Sequence, residues 1–372
     1  MHVPDGFLDV QTSVATGVVA ATAVSLSLRR SRAELDERAA PLAGLTAAFI
    51  FAVQMLNFPV GVGTSGHLMG GALAAALVGP WTAVLCVSVV LVVQALLFAD
   101  GGLTALGTNI TLMAVVTVAV GWAVTKLVLS VLPGRPGSVV PAAATGALLS
   151  VPAVAAAFLV LYAWGGEASL PIGVLTASML GWHTLIGIGE AIITGLTVGA
   201  VVAVRPDLVY AARRLRPTLL VRQPDGSMVP AAVEQHSDRE PSRVRTIVVV
   251  GTAVSLALAG IVSFFANGNP DGLEYVAADQ GFLATAREHL LGDFALADYG
   301  GVGGVPVGVA GVLGVLITIG LGRLVFRWAT RRSSRWSMNQ TAPFRFSGTR
   351  CPTRSTTSCS PRGGRWWLAR RS

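Results

Sequence analysis

The chain has 372 residues, of which 53% are hydrophobic and only 12% are charged, and its mean hydropathy is +0.66. Soluble domains carry about 25% charged residues, and several runs here approach the ~20 apolar residues that cross a ~30 Å hydrocarbon layer, so the composition excludes an ordinary soluble protein. The net charge of +8 does not indicate nucleic-acid binding, because eleven arginines lie in the acid-free tail from Arg327 to Ser372 and no basic folded module accompanies them.

The apolar runs predict an all-α integral membrane protein with nine spans. They lie near residues 10–28, 39–56, 61–79, 80–99, 109–132, 138–164, 173–204, 246–265 and 305–326. The first seven are expected to form a helical bundle and the last two a helical hairpin, all in contact with membrane lipid. The third run is rich in glycine, so part of it is expected to be a loop or a broken helix, which membranes tolerate where protein covers the backbone.

The distribution of basic residues predicts the orientation of these spans. If the N-terminus lies outside, only Arg287 of the 27 Lys and Arg residues falls in an outer segment. Most of the acids in the loops fall on that same outer side. Because inner loops of membrane proteins are enriched in Lys and Arg, we predict a multi-pass protein of the cell membrane with its N-terminus outside and its C-terminus inside.

The same patterns divide the chain into four segments. Residues 1–204 form the seven-span domain, and residues 205–245 form a polar cytoplasmic linker with eight arginines. Residues 246–326 form the two-span domain. Residues 327–372 form a basic tail that cannot build a core, so we expect it to be disordered, or a reading-frame artefact, and to play no part in function.

The first residues, Met1-His2-Val3-Pro4-Asp5-Gly6, offer a chelate for a metal ion. The first nine residues lack the basic region of a cleavable signal peptide, so we expect Met1 to carry a free amine. The amine and the His2 backbone nitrogen would close a five-membered ring on a metal, and the backbone nitrogen and Nδ1 of His2 would close a six-membered ring. Three nitrogens in one plane with an open fourth corner favour Ni(II) or Cu(II).

A fourth ligand is suggested by the loop Gly63-Thr64-Ser65-Gly66-His67. The predicted topology puts this loop on the same outer face as Met1, and its glycines let the backbone approach a site closely. His67 would then supply the fourth nitrogen of a square-planar site. Two other interpretations stay open at this point: His2 could be a chance residue, and the glycines between Gly61 and Gly71 could serve only helix packing.

Four strings carry a resemblance to a known family. MHVPDGFLD, MLNFPVGVGTSGHLMGGALAAALVGPW, QALLFADGGLTALGTNI and GWHTLIGIGEAIITG resemble the CbiM/NikM family, the substrate-binding membrane components of nickel and cobalt energy-coupling-factor transporters. The resemblance covers roughly residues 1–204. It implies a metal held by the amine of Met1, the main-chain nitrogen and imidazole of His2, and the imidazole of His67.

A second resemblance lies between the last two spans. The string Asn269-Pro270-Asp271-Gly272-Leu273-Glu274 looks like the PDGLE domain, similar to the small companion component CbiN/NikN, so the chain resembles a fusion of the two. The family implies a CbiQ/NikQ-like coupling subunit in the membrane and CbiO/NikO-like ATPase subunits as partners. It implies Ni2+ or Co2+ as the transported substrate, without an organic cofactor and without a nucleic-acid partner.

Several other polar residues are candidates for supporting roles. Asn57, Asp100 and Asn109, together with Gln54 and Gln94, flank the outer ends of spans and could orient His67 or the N-terminal loop; helix capping or interhelical hydrogen bonding would explain them equally well.

Two further sets lie elsewhere in the chain. His183 and Glu190 share one helical face and could form a polar track or bind a partner helix, or simply hold helices together. Asp271 and Glu274 could hand metal onward or clamp the N-terminal loop, although Pro-Asp-Gly is also a common turn.

These observations predict a transporter subunit rather than an enzyme. The chain has no G-x-x-x-x-G-K-[ST] phosphate loop, and its single lysine, Lys126, lies inside a span, so ATP hydrolysis must come from other subunits. The alternative is a self-contained secondary carrier or channel for divalent cations. An intramembrane metalloenzyme is disfavoured, because HExxH is absent and four nitrogens would leave no open coordination position.

Overall fold

The computed structural model describes residues 1–35, 39–61, 63–215, 220–222, 228–230, 241–301 and 304–337. The chain divides into a large unit, Met1–Ser333, and a C-terminal unit, Ser334–Ser372. Of the C-terminal unit, only the four residues that end the last helix are described. The predicted disorder of the tail therefore falls mostly outside the described residues, as does much of the linker 205–245.

The described residues are overwhelmingly helical. The helices are α1 (Val10–Arg30), α2 (Ala39–Gln54), α3 (Gly71–Val78), α4 (Pro80–Val93), α5 (Leu106–Asn109), α6 (Thr117–Val131), α7 (Val139–Gly165), α8 (Ile172–Val204), α9 (Pro241–Gly260), α10 (Gly272–Asp279) and α11 (Val307–Ser337). Two small antiparallel hairpins add β1 (Phe58–Gly61) with β2 (Thr64–Gly66), and β3 (Leu220–Arg222) with β4 (Met228–Pro230).

Seven helical segments of the described chain are long and apolar enough to cross a membrane. They are Val10–Ala33, Pro80–Phe98, Leu106–Val131, Pro136–Gly165, Ile172–Val204, Arg245–Phe265 and Val307–Ala329. They correspond to seven of the nine predicted spans, and the prediction of an all-α integral membrane protein is confirmed. The large apolar side chains exposed on α1, α7, α8, α9 and α11 are those that lipid would solvate.

The other two predicted spans, 39–56 and 61–79, are not full-length spans. Helix α2 has 16 residues and is ~24 Å long, which is shorter than the hydrocarbon layer. The run 61–79 is a broken segment, as its glycine content predicted: it contains the last residue of β1, strand β2, a loop and the eight-residue helix α3. Gly70 ends the loop with a φ of +82°, a conformation that side chains with a Cβ rarely adopt.

Buried polar side chains support this broken segment. Glu190 on α8 accepts hydrogen bonds from the backbone N–H groups of Met69 (2.7 Å) and Gly70 (3.0 Å), at the start of α3. Gln54 at the end of α2 donates to the Met69 carbonyl oxygen at 3.1 Å. A short helix inside a membrane protein leaves backbone groups that must find partners, and these two side chains supply them.

Two π-helical segments interrupt the central helices. Helix α4 continues as a π-helix over Gln94–Phe98, after which Ala99 takes a left-handed conformation with φ 54°. Helices α5 and α6 are joined by a second π-helix, Ile110–Val116. Such segments often occur at functional sites. Here the first lies before, and the second directly after, the segment from Asp100 to Asn109, which ends in α5 and contacts the N-terminus.

The residues between α9 and α11 pack against the N-terminal loop. The ring of Phe282 lies 5.0 Å from that of Phe7, and the Arg287 N–H donates to the Asp5 carbonyl oxygen at 2.8 Å. This connection, which contains α10, therefore lies at the same end of the large unit as Met1. That placement agrees with the predicted topology, in which both segments lie on the outer side.

Candidate metal centre

The N-terminal loop has no regular structure, yet it is deeply buried, with Met1 2% exposed and Val3 fully covered. Asn109 holds it from both sides: its side-chain oxygen accepts from the Val3 N–H at 2.7 Å, and its side-chain nitrogen donates to the Val3 carbonyl oxygen at 3.0 Å. The Gly102 N–H donates to the same carbonyl at 3.0 Å. A chain end that would otherwise fray is thereby fixed.

Asp5 fastens the other end of this loop. Its carboxylate accepts from the backbone N–H groups of Leu103 (3.1 Å), Thr104 (2.8 Å) and Ala105 (3.2 Å), and from the Thr104 hydroxyl at 2.5 Å. A carboxylate oxygen that receives several backbone donors is strongly held. No sequence pattern indicated that Asp5 anchors this loop, because its partners lie about one hundred residues away.

The terminal amine of Met1 lies between two side chains. It donates to Nε2 of His67 in a short contact, and it lies 2.7 Å from Oδ2 of Asp271. Oδ2 of Asp271 is 3.6 Å from Nε2 of His67. Nδ1 of His67 lies 3.1 Å from the Leu68 carbonyl oxygen, which can only accept, so Nδ1 carries the proton and Nε2 presents its lone pair to the amine.

The imidazole of His2 lies beside that of His67, with ring centroids 5.0 Å apart and planes inclined by 17°. Its Nδ1, the predicted chelating atom, donates to Oδ1 of Asp100 at 2.9 Å. Its Nε2 is buried without a hydrogen-bond partner among the described residues. The structure thus brings His2 to the predicted place, but with Nδ1 turned toward a carboxylate.

Asp100 is held in turn by Tyr299. The Tyr299 hydroxyl donates to Oδ2 of Asp100 at 2.5 Å and accepts from the side-chain nitrogen of Gln94 at 3.2 Å. The Tyr299 ring stacks on Phe98 with centroids 5.0 Å apart. Tyr299 has a positive φ of 51°, which is uncommon outside glycine and marks a backbone held by its surroundings. No sequence signal pointed to this residue.

The charges around the donors suit a divalent cation. Burial raises the pKa of Asp271, but the Met1 ammonium outweighs it and holds that pKa well below its usual range. Burial likewise raises the pKa of Asp100, but His2 and the Tyr299 hydroxyl bring it below its usual range. Burial and the nearby ammonium lower the pKa of His67, so its imidazole is neutral and able to bind a metal.

The other predicted residues lie around this centre in different ways. Asn57 meets the α9–α11 connection through its backbone, because its carbonyl oxygen accepts from the Asn267 N–H at 2.8 Å. His183 donates from Nδ1 to the Met179 carbonyl oxygen at 2.8 Å, and its imidazole lies against Gly272, beside Asp271. Glu190 supports the start of α3, as described above. The hydrogen bonds described for Asn57, His183 and Glu190 go to other partners and not to the nitrogens of Met1, His2 or His67.

Side chains alone do not complete a metal site in the described part of the chain. No group of three or more His, Cys, Asp and Glu side chains is arranged there to hold a metal ion.

Two regions of the chain match known protein families. Residues 2–208 match the family described as "Cobalt uptake substrate-specific transmembrane region" (CbiM), and residues 245–331 match the PDGLE domain. A putative fused nickel transport protein NikMN of Archaeoglobus fulgidus is 31% identical, over 88% of this chain and 99% of its own length.

Two further relatives are also named as metal transport proteins. A probable fused nickel transport protein LarMN of Lactiplantibacillus plantarum is 30% identical, over 88% of this chain and 97% of its own length. A putative metal transport protein of Haloquadratum walsbyi is 37% identical, over 56% of this chain and 94% of its own length. The chain is thus a multi-pass membrane protein that belongs to the CbiM family, with a PDGLE domain fused behind the family's region.

Proposed function

We propose that the chain is the substrate-specificity component of an energy-coupling-factor importer for nickel or cobalt ions. The observation that carries this proposal is the burial of the Met1 amine against Nε2 of His67, 66 residues away in the sequence. Exposed chain ends are rarely ordered, and burying an amine costs free energy unless it has partners. A chain terminus that is buried beside an imidazole lone pair therefore supports a role for both nitrogens in binding a metal ion.

The metal would be captured by four nitrogens: the amine of Met1, the backbone nitrogen and Nδ1 of His2, and Nε2 of His67. The amine must lose a proton, and so must the His2 amide, so two protons leave as the metal binds. Nδ1 of His2 must also give up the proton that it donates to Asp100; if that proton moves to Nε2, the imidazole stays neutral and Nδ1 is free to bind the metal. Two ionised carboxylates, Asp100 and Asp271, offset the charge of the incoming dication at short range.

Energy for uphill transport would come from partner subunits. The chain carries no phosphate-binding loop, which supports ATPase subunits of the CbiO/NikO type and a CbiQ/NikQ-like coupling subunit as separate chains. The four-nitrogen plane favours Ni(II) on coordination grounds. The metal content of the protein purified from its own cells would decide between nickel and cobalt.

Reconstitution in liposomes tests this proposal. The purified chain alone should bind Ni2+ or Co2+ in a one-to-one ratio but should show little uptake, with or without ATP. Addition of the ATPase and coupling subunits should make uptake depend on ATP. Rapid uptake by the single chain, driven by an ion gradient, would instead identify a secondary carrier.

A further inference from the structure

The carboxylate of Asp271 is oriented by the helix that it begins. Its Oδ1 accepts from the N–H groups of Leu273 (2.8 Å) and Glu274 (3.0 Å), and the Glu274 side chain accepts from the Asp271 N–H at 3.2 Å. This reciprocal arrangement is a capping box at the N-terminus of α10. Because Oδ1 is committed to the cap, the direction of the second oxygen, Oδ2, is fixed.

The loop that leads to His67 is attached to the same place. The Ser65 N–H donates to the Pro270 carbonyl oxygen at 2.9 Å, and the Ser65 hydroxyl donates to the Asn269 carbonyl oxygen at 2.7 Å. His67 and Asp271 therefore lie on two segments joined by hydrogen bonds, although about two hundred residues separate them in the sequence.

Oδ2 of Asp271 points into the metal centre. It lies 2.7 Å from the Met1 nitrogen and 3.6 Å from Nε2 of His67. An ammonium group donates hydrogen bonds, and an amine bound to a metal still has N–H groups to donate. The carboxylate can therefore hold the Met1 nitrogen both before and after the metal binds.

We propose that Asp271, in the PDGLE domain, is a positioning residue for the Met1 amine, so that the metal centre is built by both domains of the chain. This inference rests on the proposed function, because it takes the amine as a metal ligand. Asp271 acts through the amine and is not itself a ligand. Partners that orient a metal ligand typically contribute 10–100-fold to metal affinity.

The substitution Asp271→Asn isolates this role. Asn caps helices about as well as Asp, so α10 keeps its N-terminal hydrogen bonds while the charge facing the amine is removed. The matched control is Asp9→Asn. Asp9 caps α1 by accepting from the Thr12 N–H at 2.7 Å, and it makes no contact with the amine.

A second control separates positioning from docking of the two domains. Ser65→Ala removes the hydroxyl contact with Asn269 but leaves Asp271 and the amine in place. We expect Ni2+ affinity, measured by chelator competition on the full chain, to fall 10–100-fold in Asp271→Asn. It should stay within about threefold of the wild type in Asp9→Asn and Ser65→Ala.

A readout of the amine itself completes the test. Brief acylation with an amine reagent, followed by mass spectrometry, should label Met1 faster in Asp271→Asn than in the wild type and unchanged in both controls. An affinity within twofold of the wild type in Asp271→Asn, or an equal loss in Ser65→Ala, would overturn the inference. If the wild type binds no metal, the proposed function fails, and the acylation rates alone then decide whether Asp271 holds the amine.

Discussion

The two halves of the proposed metal centre each set a nitrogen of the N-terminal loop against a carboxylate, but they depend on the PDGLE domain differently. In one half, the carboxylate of Asp271 comes from the PDGLE domain and contacts the Met1 amine. In the other, Asp100 comes from the CbiM region and contacts Nδ1 of His2, and the PDGLE domain supplies only the Tyr299 hydroxyl behind it.

The difference lies in what each contact becomes when a metal arrives. A coordinated amine keeps N–H groups, so the contact with Asp271 persists. Nδ1 of His2 has one in-plane position, which holds the proton donated to Asp100 and which the metal would take in the proposed chelate, so the contact with Asp100 must be given up. A close nitrogen-to-carboxylate contact, 2.7 Å in one half and 2.9 Å in the other, is thus expected to support metal binding at Met1 and to compete with it at His2.

The largest expected effect comes from blocking the amine. One residue added before Met1, or an uncleaved N-terminal tag, turns the amine into a peptide nitrogen and moves the chelate rings out of register. Metal binding should be abolished while membrane insertion survives, as measured by equilibrium binding on the purified protein.

A C-terminal tag of the same length is the control for that prediction. In the wild type, affinity should also rise steeply with pH through the neutral range, because two protons leave as the metal binds. An affinity within about twofold after N-terminal extension would show that the amine is not a ligand.

The next largest effect is expected from His67→Ala. Three planar donors would remain, with water at the fourth corner, so binding should weaken rather than disappear. The loss should exceed the 10–100-fold that is typical of removing a residue that only orients a ligand. Competition titration with Ni2+ measures it; an unchanged affinity would place the fourth ligand elsewhere.

Asn109 and Asn57 offer a matched pair. Asn109→Ala removes both hydrogen bonds that fix Val3 and should lower metal affinity about 10–100-fold, since it loosens the loop that carries two ligands. Asn57 meets the PDGLE domain through its main chain, so Asn57→Ala should stay within about threefold. Equal effects in binding titrations would contradict the assignment of Asn109 as the anchor of the loop.

The smallest effect, and the one that distinguishes the halves, is expected from Tyr299→Phe. The substitution keeps the ring on Phe98 but loosens Asp100, and so lowers the cost of releasing Nδ1 of His2. One hydrogen bond contributes about 1 kcal/mol, so the Ni2+ affinity should rise by up to about fivefold. Tyr275→Phe, in the same domain, is the control. A tenfold loss in Tyr299→Phe would mean that both halves support binding alike.

The sequence by itself determined the membrane architecture and the pair Met1–His2. Seven long helices follow from apolar runs, because a hydrocarbon layer demands both length and apolar composition. The proposed chelate of Met1 and His2 rests on covalent adjacency, which needs no tertiary structure to bring the donors together. Hydropathy could not resolve the run 61–79, because a buried hairpin and a short helix surrounded by protein are as apolar as a span.

Only the tertiary structure decided which groups face these donors. Asp271 meets Met1 across 270 residues of chain, and Tyr299 reaches Asp100 across 199, so no local pattern could indicate either contact. The direction of Nδ1 in His2 was likewise set by the position of Asp100. A sequence records which donors are neighbours along the chain, whereas the partners that orient them are chosen by how distant helices and loops pack.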